Sequence, residues 1–132
     1  MVTGELYAEL SSPRTLAVVI GVPAKLDFSN IKEQVLPHFK GGEKEYIAKM
    51  QSDDSVKIMK GRLSPGASIG MHTHTDDTEI IFLTKGNATV VYDGQVLQLT
   101  EGECHYCPKG HTHSLVNNSN SDIEFYAVVA KQ

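Results

Sequence analysis

The amino-acid sequence predicts an all-β domain, built as a sandwich or a barrel. The chain has 132 residues, of which 40% are hydrophobic and 21% are charged, and both values are typical of one folded domain rather than of a disordered chain. From Glu45 onward, eight short runs rich in β-branched and aromatic residues alternate with turn signals. Since no long helical pattern separates these runs, the strands are expected to pack against one another.

The predicted strands are four to eight residues long, and turn residues such as glycine, proline and aspartate separate most of them. The Asp93-Gly94 pair is the strongest of these signals, because Asp-Gly is typical of a tight hairpin. The predicted strands are Tyr46–Met50, Val56–Leu63, Glu79–Thr84, Ala88–Tyr92, Val96–Leu99, Glu103–Cys107, His113–Asn117 and Ile123–Val129.

The first 44 residues carry a different pattern. Leu16–Ile20 is short and β-branched, and it predicts a strand that ends at Gly21 to Pro23. Ser29 or Asn30 is expected to cap a two-turn helix through Ile31–Leu36, which Pro37 would end. We therefore expect residues 1–44 to form an extension that packs on a barrel of residues 45–132.

Charge and hydropathy exclude two classes of partner. The formal net charge is −4, whereas contact with the phosphates of a nucleic acid needs a basic surface. The longest apolar run, Leu16–Val22, is far shorter than the roughly 20 residues of a membrane-spanning helix. No basic region precedes an apolar stretch at the start of the chain, so a cytoplasmic location is expected. Cys104 and Cys107 would lie on opposite faces of a strand and are expected to be free thiols.

Histidine and glutamate residues indicate a metal site. His72 and His74 are separated by one residue, so on a strand their imidazoles share a face. Glu79 begins one predicted strand and His113 begins another. Three imidazoles and one carboxylate suit a divalent transition metal such as Mn, Fe, Co, Ni, Cu or Zn, and they leave coordination positions open.

At these residues the sequence resembles the cupins. The first cupin motif is matched by Gly66, five residues, His72-Thr73-His74, four residues, Glu79, six residues and Gly86. The second is matched by Gly102, five residues, Pro108-Lys109-Gly110, two residues, His113, three residues and Asn117. Fifteen residues lie between the motifs, which is similar to the short spacing of compact microbial cupins.

The resemblance implies a jelly-roll barrel, or double-stranded β-helix, with one metal ion in its mouth. It implies His72, His74, Glu79 and His113 as the metal ligands. It also implies Gly66, Gly86, Gly102 and Gly110 as turn glycines, Pro108 as a rigid turn residue, and Asn117 as a cap of backbone groups.

Other polar residues near the motifs carry weaker signals. Two cysteines and two histidines have the residue types of a zinc finger: Cys104, Cys107, His111 and His113. The gap between the cysteine pair and the histidine pair is too short for the loop of a zinc finger. His105 and Cys107 share one strand face, and the residues alone leave open whether that face lines the barrel. Cys107 is interpreted as a small core residue, with a functional thiol near the metal as the alternative. His111 is expected to face solvent, and so are Asp76 and Asp77, for which a role as acid or base is the alternative. Lys60 and Arg62 are also expected to face solvent, with an inward, anion-binding position as the alternative.

Two functions remain open from the sequence. The first is a metal-dependent enzyme that acts on a small polar or anionic molecule, of the oxygenase, isomerase, decarboxylase or lyase type, with Glu79 moving a proton. The alternative is a non-catalytic module whose metal anchors a sugar or an acid. A homodimer is expected, because the predicted strand Leu16–Ile20 would need a partner at a sheet edge.

Overall fold

A computed structural model describes residues 25–132 and shows two antiparallel β-sheets. The predicted strand Leu16–Ile20 lies outside these residues. The ten described strands are β1 (Gln34–Pro37), β2 (Glu45–Ser52), β3 (Val56–Leu63), β4 (Ser68–Thr73), β5 (Asp77–Lys85), β6 (Asn87–Tyr92), β7 (Gln95–Thr100), β8 (Cys104–Cys107), β9 (Thr112–Val116) and β10 (Ile123–Lys131). Two single-turn 3-10 helices cover Phe28–Asn30 and Phe39–Gly41. Within residues 25–132, no helix has the length and apolar character needed to cross a membrane.

The strand order is that of a jelly-roll barrel, as predicted. One sheet has the order β1-β2-β3-β10-β5-β8, and the other has the order β4-β9-β6-β7. Each chain crossover carries the backbone from one sheet to the other, so the inner faces of the two sheets enclose a single core. This core is formed by residues such as Leu63, Ile81 and Phe125 from the larger sheet, and Val90 and Leu115 from the smaller one.

Side-chain alternation explains which face of each strand enters the core. In β3, Met59, Gly61 and Leu63 are buried, whereas Lys60 between them is exposed. Gly61 is needed at its position because a Cβ atom there would lie 2.6 Å from the ring of Phe125. The period of two residues thus directs the apolar set inward along the strand.

All eight predicted strands are present, with ends that differ by at most two residues. The sequence pattern missed β4, because Gly70 interrupts its apolar residues. The Asp93-Gly94 hairpin joins β6 to β7, and both of its residues have positive φ (48° and 82°). The turn glycines implied by the resemblance, Gly66, Gly86, Gly102 and Gly110, also have positive φ.

The predicted helix over Ile31–Leu36 is wrong. Gln34–Pro37 is a strand that pairs with Glu45–Ala48 of β2, and the helical turn lies earlier, at Phe28–Asn30, with Asp27 as its cap. Proline disfavours helical backbone in the residue before it but is tolerated in an edge strand. Pairing with β2 gives the backbone N–H and C=O groups of this segment hydrogen-bond partners, whereas an isolated two-turn helix is only marginally stable.

Candidate metal centre

The four predicted ligands converge at one end of the barrel from three strands and one loop. His72 lies in β4, His74 directly follows it, Glu79 lies in β5 and His113 lies in β9. Their ligand atoms all lie within 4.8 Å of one another. His113 is directly opposite His72 in the β4–β9 pair. Hydrogen bonds from the His74 amide to the His111 carbonyl (3.0 Å) and from the Gly110 amide to the His74 carbonyl (2.6 Å) hold the loop in place.

Glu79 is the common contact of the three imidazoles. Its Oε1 atom lies 3.0 Å from Nε2 of His113, 3.1 Å from Nε2 of His74 and 4.0 Å from Nε2 of His72. The Nε2 atoms of His74 and His113 are 2.9 Å apart. The cluster is largely shielded from water, since His113 is 1% exposed and His74 and Glu79 are each 7% exposed.

The opposite nitrogen of each ring has its own partner. Nδ1 of His72 lies 2.7 Å from the Gly70 carbonyl oxygen, and Nδ1 of His74 lies 2.5 Å from Oδ1 of Asp77. Because both partners are acceptors, both Nδ1 atoms carry a hydrogen. With its hydrogen on Nδ1, a neutral ring would leave its Nε2 lone pair free to bind a cation at the cluster.

Nδ1 of His113 lies 3.0 Å from Nε2 of His105. Burial lowers the pKa of His105 to about 4, so His105 is neutral near pH 7 and its Nε2 can accept the hydrogen of His113. Such outer partners orient imidazoles that bind metals.

The donor set fits a divalent transition metal. Without a cation, lone pairs of buried imidazole nitrogens and a carboxylate oxygen would face one another, so a proton has to be shared among them. Burial alone would raise the pKa of Glu79, but hydrogen bonds from His113 and His74 outweigh it and lower the pKa to about 2. The hydrogen bond to Glu79 raises the pKa of His74, against the effect of burial. A cation would replace that proton, and the cluster can therefore hold a metal ion.

A cavity of about 260 Å³ opens from the cluster to the surface, and His72, His74 and Glu79 form part of its lining. Phe39, Met59, Ile69 and Val129 supply apolar walls, and Tyr46 contributes a phenol. Charged side chains also line it: Lys40 and Lys57, together with Asp76 and Asp77. The combination of apolar walls with a few polar groups is typical of small-molecule sites.

Asp77 has a role that sequence reasoning missed. It was expected to face solvent, but its carboxylate binds Nδ1 of His74 and is only partly exposed. The sequence signal that could have indicated this contact is the position of Asp77, three residues after His74. Asp76 is exposed, as expected. Tyr46 was interpreted only as part of a strand, and no local pattern singles it out as part of the cavity.

Lys60 and Arg62 lie on the outer face of β3, as expected. Lys60 lies over the ring of Tyr126, and Arg62 forms an ion pair with Glu33 at 3.2 Å. Neither residue lines the cavity beside the histidine cluster. They do not supply anion-binding groups to that cavity.

The open question about β8 is settled by burial. His105 and Cys107 face the interior, and Cys104 and Tyr106 face outward. Burial raises the pKa of Cys107 to about 11, so this residue is a protonated thiol in the core. Both cysteines are free. His111 is partly exposed, stacks on Tyr92 and binds Asp93.

Asn117 caps backbone groups, as the resemblance implied. Its amide nitrogen donates to the carbonyl oxygens of Leu63 (2.9 Å) and Ser121 (2.8 Å), and its side-chain oxygen accepts from the Ser119 amide (3.0 Å). It ties the end of β3 to the loop after β9 and is not part of the His72/His74/Glu79/His113 cluster.

Comparison with known proteins agrees with this geometry. The sequence matches the cupin domain family over residues 59–129. It is 27% identical over 107 residues to an oxalate-binding protein of Thermotoga maritima, an alignment that covers 76% of this chain and 88% of that protein.

Solved structures of other proteins share the fold. A crystal structure of a predicted oxalate decarboxylase from Thermotoga maritima superposes with a TM-score of 0.77 and 24% identity, covering 82% of this chain and 99% of that one. The polyketide cyclase RemF from Streptomyces resistomycificus superposes with a TM-score of 0.69 and 20% identity, covering 84% and 81%. The cupin domain family matches more than half of the chain, and the two sheets and the motif residues agree with that match. The chain therefore belongs to the cupin family.

Proposed function

We propose that this protein binds one divalent transition metal through His72, His74, Glu79 and His113, and holds a small carboxylate at that metal. The convergence of these four side chains, three of which line an open cavity, is the observation that supports the proposal most strongly. Mn, Fe, Ni, Cu and Zn all suit the donor set. The oxalate-binding relative indicates a carboxylate ligand.

The bound cation would act as a Lewis acid toward an oxygen pair of the ligand. The protein's own residues define the rest of the site. Apolar side chains such as Met59 and Ile69 exclude water from the cavity wall, and the ammonium groups of Lys40 and Lys57 supply positive charge to its lining. Because Asp76 and Asp77 line the same cavity and offset these two charges, the positive charge that attracts a small anion would come from the bound cation.

Catalysis on the bound carboxylate is a second candidate function. Glu79 favours it, because this carboxylate lines the cavity and contacts His74 and His113. We propose that Glu79 moves a proton to or from the ligand during turnover. The similarity to a predicted oxalate decarboxylase suggests decarboxylation as the reaction. In that reaction oxalate and one proton would yield formate and carbon dioxide.

Elemental analysis and calorimetry test the binding proposal. Protein purified without added metal should contain about one equivalent of a transition metal per chain. Oxalate should bind to the metal-loaded protein and show at least tenfold weaker binding after metal removal. Equal oxalate binding with and without metal would contradict the proposal.

The same preparation separates binding from catalysis. Formate and carbon dioxide released from oxalate by the metal-loaded protein would favour the enzyme, and Glu79→Gln should then abolish their release. Saturable oxalate binding without any product, across Mn, Fe, Ni, Cu and Zn, would leave the binding function and remove the catalytic one for this substrate.

We also propose a homodimer. Phe82 and Tyr106 are 46% and 56% exposed on the outer face of neighbouring strands β5 and β8, and a second copy covering that face would remove their apolar surface from water. Light scattering coupled to size exclusion should give twice the chain mass of 14.4 kDa at micromolar concentration. A monomer mass would refute this arrangement.

A further inference from the structure

Tyr46 is the most deeply buried phenol of the described chain and lies in the wall of the cavity beside the metal cluster. It is 1% exposed and belongs to β2, where it is directly opposite Leu63 of β3. Its ring stacks on Phe125, with centroids 5.8 Å apart, and is tilted against Phe39 at 5.3 Å. These contacts hold the ring in one orientation, so the position of the hydroxyl group is also defined.

The hydroxyl group has a weak partner. Among residues 25–132, its hydrogen-bond contact is with the thioether sulfur of Met59, at 3.5 Å. Thioether sulfur is a poor acceptor, and a buried hydroxyl normally has a better one. The O–H group is therefore available to an oxygen atom of a ligand.

Other hydroxyl groups of the cavity lining are already engaged. The Thr73 hydroxyl contacts that of Thr112 at 2.7 Å, and the Thr75 hydroxyl donates to Asp76. The neighbours of Tyr46 in the wall, Met59 and Ile69, are apolar. In such a wall, one fixed donor can orient a ligand more strongly than it could in water.

We propose that Tyr46 is a ligand-recognition residue, whose hydroxyl donates a hydrogen bond to a carboxylate oxygen of the molecule bound at the His72/His74/Glu79/His113 cluster. This inference rests on the proposed function and adds a specific recognition group to it. The Tyr46 hydroxyl favours ligands with at least two sets of oxygen atoms. One set faces the metal, and another oxygen faces the apolar wall and accepts the hydrogen bond.

The electrostatics of the phenol agree with a donor role. Burial, together with the negative charge of Glu79, raises the pKa of Tyr46. The hydroxyl group therefore keeps its proton at physiological pH. It also does not compete with the ligand as an anion at the metal.

The test is calorimetric titration of oxalate into the metal-loaded protein and into its Tyr46→Phe variant. The substitution removes one oxygen atom and keeps the ring that packs on Phe125 and Phe39. We expect the oxalate Kd to rise about tenfold or more, the effect of losing one hydrogen bond to a charged acceptor. Metal content and Tm should stay close to those of the parent.

Two controls separate recognition from packing. Tyr126→Phe makes the same chemical change on β10, at a residue that does not line the cavity, and should leave the oxalate Kd unchanged. The Tm and metal content of Tyr46→Phe report on packing. If both fall together with the oxalate affinity, the role of Tyr46 is structural and the inference is wrong.

The remaining outcomes are also distinct. Equal oxalate affinity in the parent and in Tyr46→Phe would overturn this inference and leave the proposed function intact. A parent protein that binds metal but no oxalate would overturn the carboxylate proposal, and the recognition role with it.

Discussion

The Nε2 atom of His105 lies 3.0 Å from the Nδ1 atom of His113, and both rings are buried in the barrel interior. His105 thus fixes the orientation of an imidazole whose other nitrogen faces Glu79. His105 is not one of the four implied metal ligands, although it lies between Gly102 and Pro108 of the second motif. It completes a pattern in which each of the three histidine ligands has a partner for its Nδ1 atom.

Replacing His105 should weaken metal binding without removing a ligand. His105→Phe keeps a ring of similar size but has no acceptor for the His113 hydrogen. We expect the metal affinity to fall by about 10- to 100-fold, as is typical for the loss of an outer partner. Competition with a chelating indicator measures it. His111→Ala, which removes a histidine bound to Asp93 instead, should keep the parent affinity; the same loss in both variants would contradict the role of His105.

Removing a ligand should separate metal binding from folding. His113→Ala is expected to lose bound metal while keeping its β-sheet circular dichroism, because the barrel folds by packing of apolar side chains around Leu63, Ile81 and Phe125. Elemental analysis and unfolding curves measure both properties. Metal content equal to that of the parent would show that His113 is not a ligand.

The metal-free protein should lose stability in acid partly through Glu79. Its folded-state pKa is about 2 against an ordinary value of 4.5, so between these values the folded protein binds fewer protons than the unfolded chain. The stabilising contribution of Glu79 is therefore complete above pH 4.5 and is lost as the pH falls toward 2. The shift corresponds to about 3 kcal/mol.

Urea unfolding of metal-free protein between pH 6 and pH 3 tests this dependence. The free energy of unfolding should fall more steeply for the parent than for Glu79→Gln, whose amide does not titrate. Parallel curves for the two proteins would show that the charge of Glu79 does not couple to folding.

Asn117 should contribute to stability rather than to metal binding. Asn117→Ala leaves the carbonyl groups of Leu63 and Ser121 without its amide donor and removes the acceptor of the Ser119 amide. We expect a loss of about 2–3 kcal/mol in the free energy of unfolding, measured with denaturant. Asn120→Ala, at an exposed position in the same loop, should change it by less than about 0.5 kcal/mol. Metal affinity should stay unchanged in both, and a selective loss of metal in Asn117→Ala would contradict the capping role.

Local patterns in the sequence were enough to predict eight of the ten described strands and the four residues of the histidine and glutamate cluster. Both depend on short spacings between residues along the chain. Alternation along β3 selects Met59 and Leu63 for the core because successive side chains of a strand face opposite ways. Turn positions such as Gly86 and Gly102 are recognisable because positive φ favours glycine.

The residues that support this cluster from distant parts of the chain are recognisable only in the folded protein. Gln34–Pro37 is a strand because β2 pairs with it, and that pairing overrides a local helical pattern. His105 reaches His113, and Tyr46 reaches Met59 and the cavity, through the pairing and packing of strands. Such contacts depend on sheet register and on how the two sheets face each other, and these relations have no fixed spacing along the chain.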